Sequence, residues 1–231
     1  MCLKILPDTH KIVAKIVHDR IKDKYNVNLN LEKMLWGSVA PDVLPYYKLK
    51  RHYFDESGDY IAKEITKLIF FSRFSYSEGN ESKLLINYVS RRLGIIMHYL
   101  CDFVCYPHAY RMTFVENLRK HVKYEQDLAL YARENKYLEK DFSSVISIND
   151  ISFLEDSDMR LEERVKKYLI DVIDQYKESN HSFDNDLNFA LNLCTNISVL
   201  VIESSLQFQG DFDILYLKEI FHSMWVEDFY N

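Results

Sequence analysis

The chain has 231 residues, of which 48% are hydrophobic, 14% aromatic and 28% charged, enough to bury one substantial core and too apolar for a disordered chain. Five glycines and four prolines leave little of the turn chemistry that a many-stranded sandwich or barrel needs, so the expected class is all-α, a single multi-helix domain over 1–231. Lys and Arg number 29 against 35 Asp and Glu, a net charge of -6, which argues against a broad basic footprint for duplex nucleic acid or anionic lipid.

The opening MCLKILPDTH contains no apolar run of signal-peptide length, so a cytoplasmic protein is expected. Asp8 or Thr9 is the candidate cap of a first helix carrying Ile12, Ile16 and Val17 at helical spacing, with His10 in its first turn. A break at 28–30 leads to the turn-rich run WGSVAPDVLPYYKLKRHY from Trp36 to Tyr53, which holds Asp42 and His52. Ile61, Ile65, Leu68 and Ile69 mark a second long amphipathic helix, and Leu85, Tyr88, Val89 and Leu93 a third that continues into LGIIMHYLCDFVC over 93–105.

Pro107 breaks that helix. Further helices are expected over 114–137, 159–178, 183–208 and 213–228, while 140–158 mixes β-branched and polar residues and reads as a loop or short extended segment. The longest uncharged stretch, Leu187 to Ile202, is interspersed with Asn, Thr and Ser, so no transmembrane segment is expected. Cys2, Cys101, Cys105 and Cys194 form no CxxC pair, which points to reduced thiols; Cys101 and Cys105 are expected as small buried side chains pointing away from Asp102. No GxSxG elbow, P-loop or HExxH appears, which removes the common serine hydrolase, nucleoside-triphosphatase and zincin readings.

The chemistry concentrates in 98–125. His98 and Asp102, four apart in an otherwise apolar helix, share one helix face and need partners. Taken alone they satisfy one another or an Arg. They are not alone: His108 follows Pro107, and His121 and Glu125 form a second pair four apart. Imidazole nitrogen and carboxylate oxygen are the ligands zinc takes outside thiolate sites, and spacing by four lets two of them reach one ion. His18-Asp19, His181 and His222 are read as structural or solvated, with no metal.

At these residues the sequence resembles the zinc-dependent phospholipases C, whose relatives include zinc-dependent single-strand nucleases. The resemblance rests on His10, the G-S-x-x-P-D run Gly37 to Asp42, His52, the block H-Y-L-x-D-x-x-x-x-P-H from His98 to His108, and H-V-K-Y-E from His121 to Glu125. It implies an all-helical domain holding two to three zinc ions. Asp42, His52, His98 and Asp102 would hold one; Asp102 would bridge to a second that also uses His10; His108, His121 and Glu125 would hold the third. The family's second ion also takes the amine and carbonyl of an N-terminal tryptophan, for which Met1 or Cys2 is the candidate here.

The implied reaction is hydrolysis of a phospholipid or related phosphodiester by zinc-activated water, with at most transient contact with a membrane surface. Asp42 is the family-like general base, with Glu125 or another carboxylate as alternatives. Two other readings stand beside this one: a nuclease- or nucleotidase-like hydrolase, and a non-catalytic zinc-binding protein of the same fold.

Overall fold

The structure, a computed structural model, describes residues 8–73, 82–112, 118–137 and 159–206. These residues form nine α-helices and one 3-10 turn, and no strand occurs among them. In chain order they are α1 (Asp8–Tyr25), α2 (Leu31–Gly37), α3 (Ala40–Val43), a 3-10 turn (Pro45–Leu49), α4 (Phe54–Ser72), α5 (Lys83–Phe103), α6 (Tyr106–Ala109), α7 (Leu118–Glu134), α8 (Leu161–Glu178) and α9 (Phe183–Leu206). The all-helical expectation holds. The stretches 140–158 and 213–228 lie outside the described residues.

The turn-rich run contains more helix than its prolines suggest. Asn30 caps α2, its side chain accepting the Lys33 N–H at 3.1 Å. Pro41 and Pro45 each open a new short helix, because proline has no N–H to lose in a first turn and arrives with helical φ. Pro107 repeats the device: α5 stops at Phe103, Cys105 is extended at φ -114°, and α6 starts at Tyr106.

α5 is the central helix, buried continuously from Leu93 to Phe103, and it packs on α2, α4 and α9. α1 lies against α2 and α9 and also touches α7, while α8 packs on α4. By length and composition α9 is apolar enough to cross a membrane, yet 72% of its most apolar window is buried within the protein. Two of its polar residues bond there to other helices: Asn196 donates to the Tyr168 hydroxyl at 2.7 Å, and Thr195 accepts from Arg20 at 2.7 Å. That hydrogen-bonding explains how Asn and Thr sit in a core helix at low cost.

Candidate metal centre

Five helices and one loop converge on a single point. α1 brings His10, α3 Asp42, α5 His98 and Asp102, α6 His108, and α7 His121 and Glu125; His52 comes from the segment between the 3-10 turn and α4. All eight side chains expected from the sequence therefore meet, from six separate pieces of chain. The four-residue spacings place His98 beside Asp102 and His121 beside Glu125, with ring nitrogen to carboxylate distances of 3.3 Å and 2.9 Å.

Asp102 stands at the middle. Its Oδ2 lies 2.8 Å from His52 Nδ1 and 3.3 Å from His98 Nε2, and its Oδ1 lies 3.4 Å from His10 Nε2 and 3.6 Å from His108 Nε2. Each oxygen thus faces a different pair of imidazoles. Asp42 Oδ1 approaches His98 Nε2 to 3.6 Å and His52 Nδ1 to 3.9 Å. On the other side, His108 Nε2, His121 Nε2 and Glu125 Oε1 form a triangle of 3.2, 3.1 and 2.9 Å.

These atoms fall into three sets compatible with a metal ion: His10, Asp42 and His98; His52, His98 and Asp102; and His108, His121 and Glu125. The third set is the one the resemblance implies. In the first two the grouping is closer than implied, since His98 serves both and His10 reaches Asp42 as well as Asp102.

The donor chemistry fits a cation. Ligands at about 2.0–2.1 Å from a tetrahedral zinc stand roughly 3.3 Å from one another, close to the edges of the His108–His121–Glu125 triangle. His108 Nε2, His121 Nε2 and Glu125 Oε1 lie within 3.2 Å of one another, so a single ion can take a lone pair from each. His98 is fixed for such a role: its Nδ1 donates to the Ser38 carbonyl at 3.0 Å, which leaves Nε2 with a free lone pair toward the site.

The electrostatics divide the imidazoles. Burial, above all, lowers His10 and His98 to about 4 from an ordinary 6.5. At His52 and His108 burial also opposes the charge, but Asp102 hydrogen-bonded to His52, and Asp102 with Glu125 around His108, outweigh it and raise both. Burial works against charge on Asp102 too, and the four imidazoles around it more than reverse that, holding it well below the carboxylate range. Glu125 is likewise held down to about 2, burial being overcome by hydrogen bonds with His108 and His121. Asp42 goes the other way: burial raises it.

A cavity of about 170 Å³ adjoins the cluster, lined by His10, Asp42, His108 and Glu125 and by the apolar Val104, Val122, Leu187 and Ala190. Cys101 and Cys105 also line it; both are buried as expected, and the Cys101 sulfur faces Cys194 of α9 at 3.7 Å. Cys105 lies past the end of α5, where helical spacing no longer sets its direction.

One further cavity residue had not been anticipated: Asp186, in the first turn of α9 and 2% exposed. Its signal in the sequence is an acid placed directly before the long uncharged stretch that begins at Leu187. His18 is a core histidine, bonded to Asp19 at 3.0 Å and to the Leu29 carbonyl at 3.1 Å. His181 is exposed, and His222, Met1 and Cys2 lie outside the described residues.

Comparison with known proteins agrees with this geometry. No curated protein matches the chain. Among solved structures, the alpha-toxin of Clostridium perfringens, isolated from avian strain SWCP, is similar with a TM-score of 0.55 and 17% identity, a likeness of fold. The similarity covers 88% of this chain and 65% of that one, so this chain spans less than two thirds of the toxin's length. The family model described as zinc dependent phospholipase C matches residues 9–185, most of the sequence, and so the chain belongs to that family.

Proposed function

We propose that the chain is a zinc-dependent phosphoric diester hydrolase of phospholipase C type, acting on a phospholipid or a related phosphodiester. The observation that carries this reading is the convergence of five imidazoles and three carboxylates, with Asp102 facing His10, His52, His98 and His108 at 2.8–3.6 Å. Asp42, His52, His98 and Asp102 would hold one ion, Asp102 with His10 a second, and His108, His121 and Glu125 a third. Bound zinc supplies Lewis acidity, which brings the pKa of a water to about 7 and offsets charge on phosphate oxygens.

The chain's own residues do the rest. Asp42 is the carboxylate suited to take the proton of the attacking water: burial raises its pKa, whereas Glu125 is held near 2 and is a poor acceptor. Asp42 Oδ1 is the oxygen nearest His52 and His98, which leaves Oδ2 for the proton. The Ser38 carbonyl holds His98 in one tautomer through the reaction. Val104, Val122, Leu187 and Ala190 make part of the cavity lining apolar, which limits bulk water and strengthens the charge interactions within.

The test is metal content by elemental analysis of protein purified without chelator, beside hydrolysis of a chromogenic phosphocholine diester by wild type and Asp42→Asn. Two to three zincs, with turnover lost in the variant, support the reading. Turnover on single-stranded DNA alone moves the assignment to the nuclease type; zinc with no turnover on either substrate moves it to a zinc-binding protein; no zinc overturns the ligand assignment.

A further inference from the structure

We infer that Asp186 is a positioning residue for the His108–His121–Glu125 triad, clamping the turn that carries His108 to the helix that carries the other two. The inference rests on the zinc reading above.

Asp186 Oδ2 accepts two bonds at once, from the Tyr106 N–H at 3.1 Å and from the Tyr124 hydroxyl at 2.8 Å; Oδ1 accepts the Tyr176 hydroxyl at 2.7 Å. Tyr106 is two residues before His108 in α6, and Tyr124 adjoins Glu125 in α7. One buried carboxylate oxygen therefore ties together the two pieces of chain that supply the triad. Asp186 is itself anchored in the first turn of α9, its N–H bonded to the Ser182 carbonyl at 3.0 Å, where helix N–H dipoles favour a negative group.

The triad needs an external clamp for a specific reason. Metal-ligating histidines are usually oriented by a hydrogen bond to the second ring nitrogen, as the Ser38 carbonyl does for His98. At His108 and His121 the buried Nδ1 finds no partner among the described residues, so ring orientation depends on where the backbone is held. α6 is only four residues long, too short to be rigid alone, and its first N–H has no acceptor within the helix. Asp186 is that acceptor.

The roles of the two Asp186 oxygens can be separated chemically. An amide at this position can turn its oxygen toward Tyr106 and Tyr124 and its NH₂ toward Tyr176, whose hydroxyl can accept as well as donate. Asp186→Asn therefore preserves the clamp, whereas Asp186→Ala removes it.

The experiment is stepwise zinc affinity of the full chain by competition with a chromogenic chelator, read beside a thermal melt. Wild type is expected to show two to three steps; Asp186→Ala should weaken one step by about 10–100-fold and leave the others, and Asp186→Asn should restore it to within a few-fold. Tyr124→Phe, which removes one hydroxyl and so keeps the assay informative should Asp186→Ala fail to fold, should weaken the same step by several-fold. Unchanged affinities in Asp186→Ala and Tyr124→Phe, equal loss in Asp186→Asn and Asp186→Ala, or a uniform loss across all steps tracking the melt, overturns the clamp while leaving the hydrolase reading intact. A wild type that binds no zinc overturns the hydrolase reading itself and this inference with it.

Discussion

Gly37 and Gly94 face each other across the contact between α2 and α5, so closely that a methyl group on either would collide with the other helix's backbone, at the Arg91 carbonyl for Gly37 and at the Met34 carbonyl for Gly94. This approach brings Ser38 within reach of His98 and so fixes a ring of the candidate metal cluster. Helix propensity alone would favour Ala over Gly in α5 by about 1 kcal/mol. Overpacking against backbone costs roughly 1–3 kcal/mol, and backbone cannot rotate aside as a side chain can. Gly94→Ala should therefore destabilise the protein in urea despite the better helix former, and weaken zinc binding. A rise in the denaturation midpoint would show that the two helices are not held at this distance.

Metal removal should lower stability measurably, because Asp42, Asp102 and Glu125 line one cavity with no Lys or Arg among its described lining residues. A ligand at about a hundred times its Kd adds about 2.7 kcal/mol, worth roughly 5–10 °C of Tm for a domain of this size. The measurement is a thermal melt with zinc and with chelator. Superimposable curves would count against a folded-state metal centre.

His18 and His98 are both buried, and their variants should behave in opposite ways. His18→Ala removes the partner of the Leu29 carbonyl and should cost about 1–3 kcal/mol while zinc content stays the same. His98→Ala should lose zinc, since its Nε2 lies in two of the three candidate sets. Elemental analysis of the two purified variants decides it; zinc loss in His18→Ala would mean that Asp19 and His18 form a metal site after all.

Protons should compete with zinc mainly at His52 and His108. Those two are raised above the ordinary 6.5 once burial is outweighed by Asp102 and Glu125, so near neutral pH a proton competes with zinc for each of them more strongly than for an ordinary imidazole. His10 and His98, lowered to about 4, are already neutral there, and Glu125, near 2, stays ionised. Apparent zinc affinity should thus fall as pH drops from about 7.5 to about 5.5, by up to about tenfold per pH unit for each proton displaced. Titration calorimetry across that range checks it, and a flat profile would contradict the assignment of either histidine as a ligand.

Part of the candidate site is legible in the primary structure because five of its eight side chains obey local rules, whereas His10, Asp42 and His52 entered through the family resemblance alone. His98 with Asp102, and His121 with Glu125, are pairs four apart, and helix geometry alone puts each pair on one face. His108 declares itself by following Pro107, which ends one helix and starts another. The Ser38 carbonyl that orients His98 leaves no such trace, being a backbone group that any residue type would supply. Asp186 reads locally as an ordinary first-turn acid, and only the packing of α6, α7, α8 and α9 gives it three hydrogen-bond donors.

Composition and periodicity determined by themselves that this chain is helical: few glycines and prolines, and apolar residues at intervals of three and four, leave no economical alternative to long packed helices. They also marked His98 and Asp102 as side chains in need of partners, since a buried imidazole and carboxylate in one apolar helix demand them. Tertiary structure alone decided how the candidate ligands group around Asp102, that Cys101 and Cys105 border the cavity, and that α9 is a core helix with Asn196 and Thr195 bonded to neighbouring helices. The physical reason is range. Helix geometry relates residues a turn apart, whereas each carboxylate oxygen of Asp102 chooses its imidazoles only when α1, α5, α6 and the segment before α4 have packed together.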